Sequence, residues 1–131
     1  MKQNEQKRLA PFVDFLSDLV SELNTLAAEG WVVLVEGPRD ASAMTGLGYR
    51  GALITVSSLA RSGTQALEKA AGVIIMTDLD REGRQLAARY TRRLSHDGFQ
   101  TSLLQRKRLL VASRGVFRHV ENLSRFANQL D

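Results

Sequence analysis

The stretch GVIIMTDLDREG, residues 72–83, contains in twelve residues the strand-to-helix pattern that decides the fold of this chain. Its apolar run is short and β-branched, which is typical of a strand buried on both faces of a sheet. Three carboxylates, Asp78, Asp80 and Glu82, follow within five residues, and a helical pattern begins at Arg81. Building a core does not require like charges so close together, because they repel one another. The stretch therefore predicts a strand, an acidic turn at its carboxyl end, and a helix.

The rest of the chain repeats this alternation of strand and helix. Apolar runs that predict strands occur in WVVLVEG at 31–37, in ALITV at 52–56 and, more weakly, in FQTSLL at 99–104. Helical segments are predicted between them, over 40–47 and 64–71 and again from Arg81. Because parallel strands need crossover connections that are usually helical, the pattern predicts an α/β fold with a parallel sheet of four strands flanked by helices.

Amphipathic segments lie at both ends of the chain. Residues 9–28 carry apolar side chains at helical spacing and are followed by Gly30, which predicts an added N-terminal helix. A last amphipathic helix is predicted from Phe117, Val120, Leu123, Phe126 and Leu130. We expect one domain over residues 1–131, with the N-terminal helix at 9–28, a core at 31–104 and a basic, helical C-terminal segment at 105–131.

The composition narrows the class of protein. The chain has 131 residues, of which 44% are hydrophobic, enough for a single compact domain. It contains no cysteine, which excludes disulfides and thiolate metal sites. No apolar stretch reaches the length of a membrane span, and the polar start lacks the apolar core of a signal peptide. A cytoplasmic protein is the expectation.

Positive charge is concentrated in the second part of the chain. Residues 1–80 carry seven Lys and Arg and ten Asp and Glu. Residues 81–131 carry eleven Lys and Arg but only four Asp and Glu, so this part of the chain has a net charge of +7. One face of the helix after the acidic turn carries Arg81, Arg84, Arg89 and Arg92, and candidates to extend this basic track are Arg106, Lys107, Arg108, Arg114 and Arg118. The pattern predicts either a face that binds a polyanion or an ordinary solvated surface.

The acids point to a metal site. Ligands of open α/β sheets bind beyond the carboxyl ends of the strands, where Glu36, Asp78 and Asp80 are predicted, with Glu82 close by. An oxygen-only cluster suits Mg²⁺ or Mn²⁺. Zinc is not favoured, because cysteine is absent and His96 and His119 lie far from the acids in sequence. The alternative is a solvated turn whose acids cap the next helix.

The two acidic motifs together resemble the Toprim domain, which is shared by topoisomerases, primases and several nucleases. VVLVEGPRD is followed some forty residues later by IIMTDLDREG, in the order and at the spacing of that family. The resemblance covers about residues 31–104 and implies a Rossmann-like sheet. It implies that Glu36 acts as general acid or base, and that Asp78 and Asp80, assisted by Glu82, hold Mg²⁺, for which Mn²⁺ can substitute.

Other positions follow from the same resemblance. Asp40 matches the acid of the EGxxD form of the motif and is a second catalytic candidate. Gly37 and Gly83 match the family's glycines, which we attribute to tight turns of the backbone beside the substrate. Arg39, next to Asp40, joins the arginines of the basic track as a candidate for binding nucleic acid.

The resemblance also suggests a function. The parts that topoisomerases and primases add to this domain are missing, and the chain looks like a stand-alone Toprim protein, similar to the ribonuclease that matures 5S ribosomal RNA and to its short archaeal relatives. We expect a Mg²⁺-dependent endoribonuclease acting on a structured RNA, with the 5S ribosomal RNA precursor as leading candidate. The alternatives are a non-catalytic nucleic-acid-binding module or subunit and a DNA-nicking nuclease. The oligomeric state stays open.

Overall fold

The computed structural model describes residues 2–114 and 117–130 and contains four strands and five α-helices within them. The strands are β1 (Trp31–Val35), β2 (Leu53–Thr55), β3 (Gly72–Ile75) and β4 (Thr101–Ser102). The helices are α1 (Lys2–Ala28), α2 (Pro38–Gly46), α3 (Val56–Ser62), α4 (Arg81–His96) and α5 (Leu104–Ser113). Two 3₁₀ helices, Gln65–Leu67 and Val120–Phe126, complete the described part of the chain.

The four strands form one parallel sheet in the order β2-β1-β3-β4. This confirms the predicted α/β class and its parallel sheet flanked by helices. Side chains alternate along the strands, so that Val33 and Val35 face one apolar cluster while Leu34 faces the other. Helices α1, α2 and α5 and the closing 3₁₀ helix pack on the first face, and α3 and α4 pack on the second.

Four helical segments differ from the prediction. The helix predicted over 64–71 is a 3₁₀ helix of three residues, Gln65–Leu67, and α3 begins at Val56, within the run predicted as the second strand. Helix α1 begins at Lys2 rather than at Leu9, which places Pro11 inside the helix on its exposed side. The predicted C-terminal α-helix is a 3₁₀ helix, Val120–Phe126. Its buried residues Val120, Leu123 and Phe126 recur at intervals of three, and side chains so spaced align on a helix with three residues per turn. The prediction of one domain over 1–131 stays a prediction, because residues 1, 115–116 and 131 lie outside the described residues.

The loop between β3 and α4 is held by hydrogen bonds between its side chains and backbone groups. The Thr77 hydroxyl donates a 2.6 Å hydrogen bond to the carbonyl of Gly83, and the Gly83 amide donates to the Asp80 side chain at 2.7 Å. A Cβ added at Gly83 would overlap the backbone carbonyl of Asp78. Gly83 is therefore needed so that the first turn of α4 can lie against the acidic loop, which is a packing reason and differs from the turn beside substrate that the sequence suggested.

Alanine at Gly83 should therefore destabilise the protein. Replacing glycine by alanine inside a helix usually stabilises it by about 0.5–1 kcal/mol, but overlap with a fixed carbonyl should reverse the sign and cost about 1–3 kcal/mol. Chemical denaturation of Gly83→Ala measures the change. Gly46→Ala is the matched control, because a Cβ there meets its nearest neighbour at an ordinary 3.9 Å. Equal stability of the two variants would contradict this account of Gly83.

Candidate metal centre

The carboxyl ends of β1 and β3 bring the acids of the two sequence motifs together. Glu36 follows β1 directly, and Asp78 lies three residues beyond the end of β3. The Glu36 carboxylate accepts a 2.7 Å hydrogen bond from the Asp78 backbone amide through Oε2. This bond joins residues 42 positions apart in sequence and fixes the Glu36 carboxylate beside the acidic loop.

Each aspartate of the loop uses one carboxylate oxygen to bind the backbone. Asp78 Oδ1 accepts from the amide of Val120, and Asp80 Oδ1 accepts from the amide of Gly83, both at 2.7 Å. The second oxygen of each carboxylate turns toward His119, whose Nδ1 lies 3.3 Å from Asp78 Oδ2 and 3.7 Å from Asp80 Oδ2. The convergence of the aspartates thus comes from hydrogen bonds in a loop, because β3 has already ended at Ile75.

Asp78, Asp80 and His119 form a group whose ligand atoms all lie within 4.8 Å of one another. Carboxylate oxygens and an imidazole nitrogen are suitable donors for a divalent ion, and their orientation by backbone hydrogen bonds is typical of metal ligands. The residues therefore fit a metal centre. Glu82 is exposed on the first turn of α4 and is not part of this group.

Both histidines lie far from the acids in sequence, but the fold brings His119 beside Asp78 and Asp80. The ring reaches the acids because the closing segment crosses the loop after β3, where the Leu79 amide donates to the Arg118 carbonyl at 2.6 Å. No periodicity or short motif in the sequence signals this contact, which depends on the path of the chain after α5. The hydrogen bond to Asp78 raises the pKa of His119 above its ordinary value.

Glu36 lies in an environment that favours its protonated form. The pKa of its carboxyl is raised to about 7, chiefly because burial desolvates the charged form; the charges of Asp78 and Asp80 act in the same direction, and the hydrogen bond from the Asp78 amide opposes the shift. A carboxyl with this pKa exchanges its proton near neutral pH. It therefore has the property that a general acid or base requires.

A buried arginine lies beneath the acidic loop. Arg106 is only 7% exposed, and its guanidinium donates to the carbonyls of Thr77, at 3.3 Å, and Asp78, at 2.6 Å. Burial lowers its pKa, and the charges of Asp80 and Glu36 oppose that shift. Arg106 therefore supports the loop from inside and does not extend the exposed basic track proposed from the sequence.

The other residues predicted for the site lie around this centre. Asp40 is buried and accepts a 3.0 Å hydrogen bond from the Gly37 amide at the start of α2, and burial raises its pKa. Gly37 has an extended backbone, with room for a Cβ. Arg39 is exposed on the first turn of α2, and the exposed arginines of α4 include Arg81, Arg84, Arg89 and Arg92.

No helix among residues 2–114 and 117–130 is both long and apolar enough to cross a membrane.

Comparison with known proteins identifies relatives across most of the chain. Residues 31–113 match the model of the Toprim domain. A UPF0292 protein of Methanosarcina acetivorans is 31% identical over 117 residues, covering 88% of this chain and 81% of that protein. A UPF0292 protein of Methanocaldococcus jannaschii is 26% identical over 121 residues, covering 90% of this chain and 94% of that protein. A solved structure of a protein from Aquifex aeolicus has a TM-score of 0.67 at 25% identity, covering 81% of this chain and 95% of that one. The matched domain and the acidic cluster together fit a metal-binding module that processes nucleic acids.

The raised pKa of Glu36 should make the stability of the metal-free protein depend on pH. The folded state binds a proton on Glu36 that the unfolded chain has already released, so stability should fall as pH rises from about 4.5 to about 7. Glu36→Gln removes this loss and retains an oxygen that can accept from the Asp78 amide. In EDTA, the melting temperature of Glu36→Gln minus that of the wild type should be larger at pH 8 than at pH 5. The exposed Glu68 provides the control, because Glu68→Gln should show no such rise.

Proposed function

This chain belongs to the Toprim domain family, and from that premise we propose that it is a divalent-metal-dependent endoribonuclease acting on a structured RNA precursor. The 5S ribosomal RNA precursor is the leading candidate substrate, and Mg²⁺ or Mn²⁺ the candidate cofactor. The observation that carries the proposal is the hydrogen bond of Glu36 to the amide of Asp78, which places a proton-exchanging carboxyl beside a candidate metal centre.

The charge at this centre favours a catalytic role over binding alone. Glu36, Asp78 and Asp80 would repel a phosphodiester unless a cation neutralised them, so acids in these positions weaken a surface that only binds phosphate. A divalent ion held by Asp78 and Asp80 would neutralise the phosphoryl oxygens and stabilise the leaving oxygen. Acids gathered at this centre are therefore better explained by a phosphodiester that reacts there than by one that is only bound.

Glu36 is assigned the proton transfer. Its Oε2 is occupied by the Asp78 amide, which leaves Oε1 as the oxygen that can take a proton from an attacking group or give one to a leaving oxygen. The hydrogen bond also sets the orientation of the carboxyl, so that the proton is exchanged in a fixed direction. Buried Asp40, which is bound to the Gly37 amide, is proposed to support this region electrostatically from the start of α2.

The arginines of α4 are proposed to bind the RNA backbone. Helix α4 begins at the acidic loop and runs away from it, so its exposed guanidinium groups form a track that starts beside the centre. Guanidinium groups bind phosphate oxygens through paired hydrogen bonds, which orients the chain of phosphates without reading its sequence. Arg39 on α2 is proposed as a further group that binds phosphate.

Substitution of Asp78 should abolish metal-dependent cleavage. Asparagine keeps the oxygen that accepts from the Val120 amide, so Asp78→Asn should fold, but it removes a negative charge from the centre. We expect cleavage of labelled 5S ribosomal RNA precursor in Mg²⁺ to fall by about 10³-fold, the loss expected when several kcal/mol of metal stabilisation are removed.

The controls separate the alternatives. Asp97→Asn, at an exposed acid after α4, should cleave like the wild type. Parallel assays with precursor transfer RNA and plasmid DNA distinguish the endoribonuclease from a DNA-nicking enzyme. Salt-sensitive binding with no cleavage of any of these substrates, in either metal, would instead support a binding module.

We expect the arginines of α4 to bind RNA through their positive charge. The double variant Arg89→Ala with Arg92→Ala should lower the slope of log affinity against log salt by about one for each phosphate that the protein no longer neutralises, because fewer counterions are released. Fluorescence anisotropy of labelled RNA at several salt concentrations measures the slope. Arg61→Ala, on α3 beside the opposite edge of the sheet, should leave it unchanged.

A further inference from the structure

His119 is the one nitrogen donor of the three-residue group at the metal centre, and it comes from a segment outside the two acidic motifs. Its side chain is 47% exposed, so the core does not require the ring. The ring contacts the acidic loop instead, with Nδ1 lying 3.3 Å from Asp78 Oδ2 and 3.7 Å from Asp80 Oδ2.

The backbone around His119 is fixed to the same loop on both sides. Before it, the Arg118 carbonyl accepts from the Leu79 amide at 2.6 Å, and after it, the Val120 amide donates to Asp78 Oδ1 at 2.7 Å. The His119 carbonyl also accepts from the Asn122 amide at 3.0 Å, in the turn that follows. The backbone that carries the imidazole is therefore held beside the two aspartates.

The spacing of the three ligand atoms is close to that around a single ion. Metal–ligand bonds of about 2.1 Å place neighbouring ligand atoms of one octahedral ion about 3.0 Å apart. Nδ1 lies 3.3 Å and 3.7 Å from the two carboxylate oxygens, and all three atoms lie within 4.8 Å of one another. The three side chains are therefore close enough to bind one divalent ion.

We infer that His119 is a ligand of the divalent ion at this centre and gives the site a preference for Mn²⁺ over Mg²⁺. The inference rests on the proposed function only in assuming that a divalent ion binds between Asp78 and Asp80. Both ions bind carboxylate oxygen, but Mn²⁺ is a first-row transition metal and accepts an imidazole nitrogen more readily than Mg²⁺, which is bound almost wholly by oxygen. Removing the imidazole should therefore weaken the binding of Mn²⁺ much more than that of Mg²⁺.

Metal binding by His119→Gln and His96→Gln provides the first test. The dissociation constant for Mn²⁺ is measured from the electron paramagnetic resonance signal of free Mn²⁺, and that for Mg²⁺ by competition. We expect His119→Gln to weaken Mn²⁺ binding about tenfold or more, a loss typical of residues at metal sites, and to weaken Mg²⁺ binding less than about threefold. His96→Gln, at the exposed end of α4, should change neither constant.

A spectroscopic test detects the ligand directly. Electron spin-echo modulation of protein-bound Mn²⁺ should show coupling to an imidazole ¹⁴N in the wild type and in His96→Gln, and this coupling should be lost in His119→Gln. Circular dichroism and the melting temperature of the metal-free variants show whether each is folded. If His119→Gln were unfolded, absence of the ¹⁴N coupling in the wild type would still overturn the inference.

The remaining outcomes also decide the question. If His119 only neutralises the aspartates, its removal should tighten the binding of both ions, which would overturn the inference, as would equal losses for both ions or no binding of Mn²⁺ by the wild type. RNA cleavage is scored separately. Selective loss of Mn²⁺ in a protein that cleaves nothing would leave the inference standing and remove the proposed nuclease. Cleavage that depends on Asp78, with an unchanged metal preference, would do the reverse.

Discussion

The arrangement of the site depends on one electrostatic constraint: Glu36, Asp78 and Asp80 lie at one edge of the sheet, and their charges repel. The fold holds them there with backbone amides, because the amides of Asp78, Val120 and Gly83 each bind one carboxylate oxygen. Arg106 supports the same loop from inside through two carbonyls. These hydrogen bonds use one oxygen of each carboxylate, and the repulsion among the charges can be relieved by a cation bound at the other oxygens. Such sites are typically maintained at some expense of stability.

The sheet and the meeting of the acids could be predicted from the sequence for a simple reason. A parallel sheet places the carboxyl ends of its strands at one edge, so two apolar runs that each end in acids imply that those acids are neighbours. Glu36 and Asp78 follow this rule, although the loop geometry that orients Asp78 and Asp80 could not be deduced from strand alternation. The apolar runs were sufficient to predict the strands β1 and β3, because both strands are central in the sheet and covered on both faces.

What the sequence could not provide was the path of the chain after the last strand. Arg106 resembles one more surface cation within a basic stretch, yet it is buried because α5 packs behind the acidic loop. His119 lies 39 positions beyond Asp80, and nothing in its local sequence indicates that the closing segment crosses that loop. The spacing of apolar residues by three predicted a helix there but not its 3₁₀ form, and a 3₁₀ helix directs its side chains differently from an α-helix.

The proposed ligands of the centre come from two different parts of the chain. The acids lie within residues 31–113, the part that matches the Toprim domain, whereas His119 lies after it, on a segment that packs against α2. The matched domain supplies the negative charge that an ion requires, and the closing segment adds His119, the donor that we infer to distinguish between ions of equal charge. A change confined to the closing segment could therefore alter the chemistry of the centre without altering the sheet, the acids or the basic helix that define the module. For this reason we expect the residues after the matched domain, rather than those within it, to make this site different from one built of carboxylates alone.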